Sequence, residues 1–296
     1  MTSAHGSMQE RQTTKKMKKT LLMFCFLVFT QILEAQEEWA GPAFRDTRIV
    51  NGHSVETSAK GELKFVISHR FGSIKGGLDE FYGLDQATIR LGLDYGIWDR
   101  LTVGIGRSSN EKTLDGYAKW KVLEQTEEGD MPLSVTLFSS VAMRTLDLDV
   151  AEREYPFSSK FFYTYQLLLA RKFSERFSLQ LMPTLVHRNL VESREVSNDV
   201  LAFGAASRFQ LTKMISWQVE YYYILPDQLL SVYQNSLSLG FDIETKSHVF
   251  QLHVSNSQGM IEKFFIGETR GDWLDGDIFF GFNISRNFQL GGRKYR

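Results

Sequence analysis

Apolar and polar side chains alternate along most of the chain after residue 61. Between Ala87 and Tyr95, every second residue is alanine, isoleucine, leucine or tyrosine, and the residues between them are Thr88, Arg90, Gly92 and Asp94. A period of two places successive side chains on opposite faces of a β-strand. The pattern predicts about 12 strands, at residues 62–71, 86–96, 101–108, 113–123, 132–144, 159–172, 177–188, 200–210, 215–224, 236–244, 247–255 and 277–290.

Two kinds of connection join the predicted strands. Short ones, such as 96–100 and 211–214, alternate with longer ones, such as 72–85 and 256–276. Several strands also reach the roughly 9–11 residues that a tilted strand needs to cross a bilayer. These features are typical of an all-β protein, a transmembrane antiparallel up-and-down β-barrel. A periplasmic β-sandwich would alternate too, but the strand lengths and the aromatic residues at strand ends favour the barrel.

Three parts of the predicted barrel carry further expectations. Pro183 lies mid-strand and predicts a β-bulge, because a closed barrel offers no free edge. The connection 256–276 is long enough to fold into the barrel. The last strand resembles the terminal strand by which outer-membrane assembly machinery recognises its clients, and its apolar face carries Phe280, Phe282, Ile284, Phe288 and Leu290.

The N-terminal region has the pattern of an export signal. Four lysines precede the apolar run 21–29, and Ala35 supplies a small residue at the expected cleavage site. This pattern is typical of a secretory signal peptide. We therefore predict an upstream extension and signal peptide at 1–35, a periplasmic segment at 36–61, an outer-membrane barrel at 62–290 and a tail at 291–296.

Composition excludes several other classes of protein. Of the 296 residues 43% are apolar, and the formal net charge is −1, which argues against disorder and against a basic nucleic-acid-binding surface. The single cysteine, Cys25, lies in the predicted signal peptide, so the exported chain would have no disulfide. Removing residues 1–35 takes away five basic and two acidic residues, which leaves 29 and 33 and a net charge of −4.

Long stretches of the chain resemble one family of barrels. The resemblance runs from about residue 45 to 290 and is carried by 47–57 (TRIVNGHSVET), 67–72 (ISHRFG), 83–108, 225–229 (LPDQL) and 240–259. They resemble a Bacteroidota family of outer-membrane β-barrels catalogued as a domain of unknown function. The resemblance implies a single barrel domain in the outer membrane of a Gram-negative bacterium, and it implies no catalytic or binding residues.

One short motif suggests an enzyme. His253, Ser255 and Asn256 have the His-x-Ser-Asn form of outer-membrane acyl hydrolases, both phospholipases and lipid A deacylases. Histidine and serine two residues apart share a strand face, so the base could reach the nucleophile, with Glu262 or Asn256 as a third member. Those hydrolases keep the pair on the lipid side, whereas the alternation here turns His253 and Ser255 inward. The alternative interpretation is a polar strand end.

Charged residues on the predicted inner face suggest a pore. Arginines end several strands that run outward, and guanidinium groups suit phosphate and carboxylate ligands. The pattern predicts a cationic mouth that favours small anionic solutes, or else arginines that only pair with acids. The predicted residues of the mouth and lumen are Arg70, Arg144, Arg188, Arg90, Asp94, Arg208, Glu220 and Asp242.

The favoured interpretation is a passive small-solute pore or a structural or binding component of the outer membrane. It lies among outer-membrane lipid and lipopolysaccharide, without a cofactor, a metal or a nucleic-acid partner. The alternatives are an acyl ester hydrolase and a scaffold for a partner protein.

Overall fold

The computed structural model describes residues 39–146, 155–193, 195–245 and 248–290. The predicted signal peptide and C-terminal tail lie outside this part of the chain. Within it, no helix is long and apolar enough to cross a membrane.

A closed barrel forms the body of the described chain. Each strand pairs antiparallel with its neighbours in the sequence, and β1 pairs with β12 to close the sheet. The predicted 12-stranded barrel is therefore confirmed. The strands are β1 (Glu62–Ser73), β2 (Ala87–Trp98), β3 (Leu101–Ser108), β4 (Leu114–Leu123), β5 (Ser134–Met143), β6 (Phe161–Lys172), β7 (Phe177–Arg188), β8 (Asp199–Gln210), β9 (Ile215–Ile224), β10 (Ser236–Glu244), β11 (His248–Ser255) and β12 (Phe279–Gln289).

The alternation predicted from the sequence separates the two faces of the sheet. In β2 the side chains of Arg90 and Asp94 are fully buried inside the barrel, whereas Leu91 and Leu93 on the other face are more than 40% exposed. An apolar exterior around a polar interior is the reverse of a water-soluble protein, and it suits a barrel surrounded by lipid.

The two ends of the barrel differ. The rim where β1 begins, here called the N-terminal rim, carries the connections that follow the even-numbered strands. The opposite rim, here called the loop rim, carries the connections that follow the odd-numbered strands. The described residues of this rim form three 3-10 helices, Ile74–Gly83, Asn110–Lys112 and Phe157–Lys160, and one short α-helix, α1 (Glu262–Gly267).

The bulge predicted at Pro183 is wrong. Pairing of β6 with β7 has the same register on both sides of the proline, from Gln166 opposite Thr184 to Leu169 opposite Leu181. The pairing of β7 with β8 runs through Pro183 without a break. Because proline has no N–H to donate, residue pairs at Pro183 are missing on the side of β6. No extra residue is inserted into β7 at this point.

The segment predicted to lie in the periplasm has a different position. Residues 43–58 lie inside the barrel, and 12 of these 16 residues are buried. This stretch is called the lumen segment below. This position was not predicted, because residues 36–61 were expected to form a periplasmic segment before the first strand.

Candidate functional site

The lumen segment folds into a turn in the middle of the barrel. Arg48 and His53 form an antiparallel bridge, and the Ile49 N–H donates to the Gly52 carbonyl at 2.9 Å. The tip of this turn consists of Val50, Asn51 and Gly52. The apolar side chains around it, Phe44, Ile49, Val50 and Val55, are each at most 2% exposed.

Glu220 of β9 binds the tip of the turn. Its carboxylate accepts hydrogen bonds from the main-chain N–H groups of Val50 at 3.0 Å, Asn51 at 3.2 Å and Gly52 at 3.0 Å. Hydrogen bonds to an ionised group are stronger than neutral ones. The Asn51 side chain adds a bond to the Ser238 hydroxyl at 2.9 Å and accepts one from Arg70 at 2.7 Å.

The wall of the barrel also binds the carbonyl groups of the lumen segment. Polar side chains from several strands donate to them. These bonds are Arg208 Nε to Ala43 at 2.7 Å, Lys119 Nζ to Thr47 at 3.1 Å, Asn283 Nδ2 to Val50 at 3.0 Å, Gln180 Nε2 to His53 at 2.8 Å, Thr136 Oγ1 to Val55 at 2.7 Å, together with Gln251 to Ile49 and Lys119 to Glu56.

Ion pairs hold the segment near the N-terminal rim. Lys64 of β1 pairs with Asp46, whose other oxygen accepts from the Ser285 hydroxyl at 2.5 Å. Lys121 of β4 pairs with Glu56 at 2.9 Å. The sequence interpretation missed all of these residues. Strand parity could have found both lysines, which alternate with apolar neighbours, but nothing marks Asp46 and Glu56 as lumen residues.

The structure places the eight predicted lumen residues on the inner face, where most of them bind other parts of the chain. Arg70 donates to Ser257 and Asn51. Arg188 donates to the Ser197 carbonyl at 2.6 Å and pairs with Glu192 at 3.5 Å. Arg90 pairs with Asp115, and Arg144 pairs with Glu111. Arg208 donates to the Ala43 carbonyl, Asp242 accepts from Gln218 and Gln251, and Glu220 accepts from the lumen segment. Asp94 is fully buried.

The connection after β11 enters the barrel from the loop rim. It folds inward, as its length predicted, and residues 261–267 around α1 are all buried. Phe265 stacks at a tilt on Tyr222 of β9, with ring centroids 5.1 Å apart. Lys263 is 2% exposed and pairs with Glu111 at 2.8 Å and Glu268 at 2.7 Å.

The lumen segment and the connection around α1 meet at His53 and Glu262. Their Nε2 and Oε1 atoms are 3.7 Å apart. Burial raises the pKa of Glu262 to about 7. Burial, aided by the charges of Arg48, Lys119 and Arg90, lowers the pKa of His53 well below its usual 6.5. The histidine is therefore neutral, and the carboxyl changes its charge near neutral pH.

We expect the docking of this connection to weaken as pH rises through 7. The folded pKa of Glu262 lies above its usual 4.5, so its protonation stabilises the docked state fully below about pH 4.5, and this contribution is lost as pH rises through 7. His53 acts oppositely below pH 6.5, because its folded pKa is depressed. Comparing wild type with Glu262→Gln isolates the carboxyl.

Hydrogen–deuterium exchange of residues 256–271 measures this effect. The variant should match wild type at pH 4 and exchange more slowly than wild type at pH 8. Equal exchange of the two proteins at pH 8 would contradict the assignment.

The hydrolase motif does not form a catalytic arrangement. Both ring nitrogens of His253 are buried without a hydrogen-bond partner, so His253 does not activate Ser255. The Ser255 hydroxyl accepts from Ser238 at 2.8 Å. Asn256 binds the main chain of Asn235 and Gly271 and accepts from the Leu237 N–H, which is a structural role. Among the described residues, no group of three or more His, Cys, Asp or Glu side chains could hold a metal ion.

These observations define a membrane-bound β-barrel with an occupied lumen. The chain belongs to the family described as the membrane bound beta barrel domain (DUF5777), whose model matches residues 44–288. The family expected from the sequence is thereby confirmed, while its assignment to Bacteroidota stays a prediction. The match begins at Phe44, so it includes nearly all of the lumen segment.

Several solved structures are similar to this chain. The NanC porin is 9% identical, with a TM-score of 0.48, over 77% of this chain and 100% of its own. The KdgM porin is 9% identical, with a TM-score of 0.46, over 77% of this chain and 99% of its own. The COG4313 outer membrane channel from Pseudomonas putida F1 is 9% identical, with a TM-score of 0.42, over 86% of this chain and 100% of its own. No curated protein matches the chain.

Proposed function

We propose that this protein is an outer-membrane channel that its own lumen segment and the connection around α1 keep closed, and that small solutes pass when the segment leaves and the connection that contacts it undocks. The hydrogen bonds from three consecutive main-chain N–H groups to Glu220 carry the proposal. These bonds join three residues at the tip of the turn to one side chain of the wall, and they can break without changing the pairing of the strands. The apolar outer face supports a place among outer-membrane lipids, reached through the assembly machinery.

The polar part of the wall supports a channel. Membrane barrels have polar interiors both when they are water-filled channels and when a part of their own chain plugs them. The wall that faces the lumen segment carries glutamine, serine, threonine and charged residues beside an apolar patch that includes Phe138, Leu168, Met182, Val200 and Tyr222. Water can solvate the polar groups once the segment has left, so the emptied barrel would be a wet pore.

The charge of the wall supports a preference for anions. Among the buried charged residues of the strands, seven are basic and three are acidic. A lumen with excess positive charge attracts anions and repels cations. The residues are Lys64, Arg70, Arg90, Lys119, Lys121, Arg188 and Arg208 on the basic side, and Asp94, Glu220 and Asp242 on the acidic side.

A disulfide between the lumen segment and the wall tests the proposal. A Cβ atom at Gly240 of β10 would lie 3.2 Å from Val50 Cγ2, which is close enough for Val50→Cys and Gly240→Cys to form a disulfide. The full chain in a planar bilayer should show no conductance steps when oxidised, and anion-selective steps when reduced. Cys25, the natural cysteine, lies in the predicted signal peptide and should not compete.

Gly240→Cys alone is the matched control, because it changes the wall without creating the crosslink. It should conduct equally with and without reductant. Steps of undiminished size from the oxidised double variant would show that ions pass without release of the segment. The absence of steps from both the reduced variant and the wild type would rule out the pore.

A further inference from the structure

The wall recognises the lumen segment mainly through its main chain. Twelve main-chain groups of residues 43–58 bind strand side chains. Seven are the carbonyls of residues 43, 47, 49, 50, 53, 55 and 56, and five are the N–H groups of residues 50, 51, 52, 55 and 58. Fewer side chains of the segment bind the strands, and these belong to Arg45, Asp46, Thr47, Asn51 and Glu56.

Gln180 of β7 shows how this recognition works. Its side-chain oxygen accepts from the Val55 N–H at 2.7 Å, and its side-chain nitrogen donates to the His53 carbonyl at 2.8 Å. One amide side chain therefore satisfies a donor and an acceptor two residues apart, as a neighbouring β-strand would. Every peptide presents these two groups, so the contact does not depend on sequence.

Apolar side chains add a second requirement. Ile49 and Val55 are fully buried, and Phe44 and Val50 are at most 2% exposed. The lumen therefore offers places for a few apolar side chains between main-chain contacts. A sugar or an inorganic anion would leave these places empty, because neither carries apolar side chains.

We propose that the lumen, once vacated, binds oligopeptides in an extended or turn conformation through their main chain. The inference rests on the proposed function, because the site exists only when the lumen segment has left. The ligands of the pore would then be peptides that carry apolar residues at a few fixed positions. The lumen segment then acts as an internal occupant of a peptide site.

A cleavable full-length chain tests the inference. Lys60 is exposed and precedes the first strand, so the recognition sequence of a specific protease can be inserted after it and cut once the barrel has folded. Fluorescence anisotropy then measures binding of a labelled peptide with the sequence of residues 43–58. The first competitor is an unlabelled peptide that keeps residues 44, 49, 50, 52 and 55 of this sequence and has the other residues in permuted order. The second competitor is a linear oligosaccharide of similar length.

The permuted peptide should displace the labelled one with a Kd within about tenfold of the native sequence, and the oligosaccharide should not compete. The oxidised Val50→Cys and Gly240→Cys variant is the control and should bind no labelled peptide. Competition by the native sequence alone would overturn the inference, because the lumen would then recognise only its own segment. Displacement by the oligosaccharide would overturn it too.

Failure of this inference differs from failure of the channel. Conductance after cleavage without binding of either peptide would leave the channel and remove the peptide site. If the cut segment stays bound in both wild type and Glu220→Gln, both proposals are wrong, since a lumen that cannot be vacated takes no second peptide.

Discussion

Glu220→Gln is expected to increase the fraction of time that the channel is open by about a hundredfold. Oε2 of the carboxylate accepts from three main-chain N–H groups, and Oε1 also accepts from that of Asn51. A glutamine amide is uncharged, keeps one acceptor oxygen and turns its NH2 group toward the Asn51 N–H. A hydrogen bond to a charged group contributes about 1.5–3 kcal/mol. A net loss of about 3 kcal/mol corresponds to a factor of about a hundred in the equilibrium.

Single-channel recording of the full chain measures this change as the open fraction at fixed voltage. Glu128→Gln is the matched control, because Glu128 is exposed on the connection after β4 and has the same change in charge. It should leave the open fraction at the wild-type value. An unchanged open fraction in folded Glu220→Gln would mean that Glu220 does not hold the lumen segment.

Gly52→Ala is expected to loosen the segment by a steric mechanism. A Cβ atom at residue 52 would lie 2.3 Å from the Tyr222 hydroxyl oxygen and 3.4 Å from a carboxylate oxygen of Glu220. Tyr222 is fully buried and packs on Phe265, so it cannot move away freely. Overpacking of this kind costs about 1–3 kcal/mol, which predicts an open fraction about ten to a hundred times that of wild type.

Tyr222→Phe provides the control for this clash. It removes the oxygen that the new Cβ atom would meet, and the next Tyr222 atom is 3.4 Å away. Single-channel recording of Gly52→Ala with Tyr222→Phe should return the open fraction most of the way to that of Tyr222→Phe alone. Strict additivity of the two substitutions would show that the clash is not the cause.

The strands were predictable because their pattern is local. Alternation in β7 specifies both a strand and the face that each side chain occupies, whatever the rest of the chain does. The predicted segment 177–188 coincides with β7 (Phe177–Arg188). Pro183 was interpreted correctly as a missing donor and wrongly as a bulge, because the register depends on the neighbouring strands, which hold it on both sides.

The contents of the lumen were not predictable in the same way. Residues 43–58 have no strand period, and their main-chain groups carry no signal in the side-chain pattern. The N–H of Val50 meets Glu220 across 170 positions of sequence, and the amide of Gln251 meets Ile49 across 202. Such contacts form only when closure of the barrel brings distant strands around the segment.

The sequence by itself determined the transmembrane barrel, its strands and the residues of its inner face, because a period of two is a property of neighbouring residues. Only the tertiary structure decided that the lumen is occupied, by residues 43–58 from one side and by the connection around α1 from the other. The physical reason is that the inner face of a barrel satisfies its polar groups with whatever enters it. Alternation specifies that face, and the folded chain alone determines what it binds.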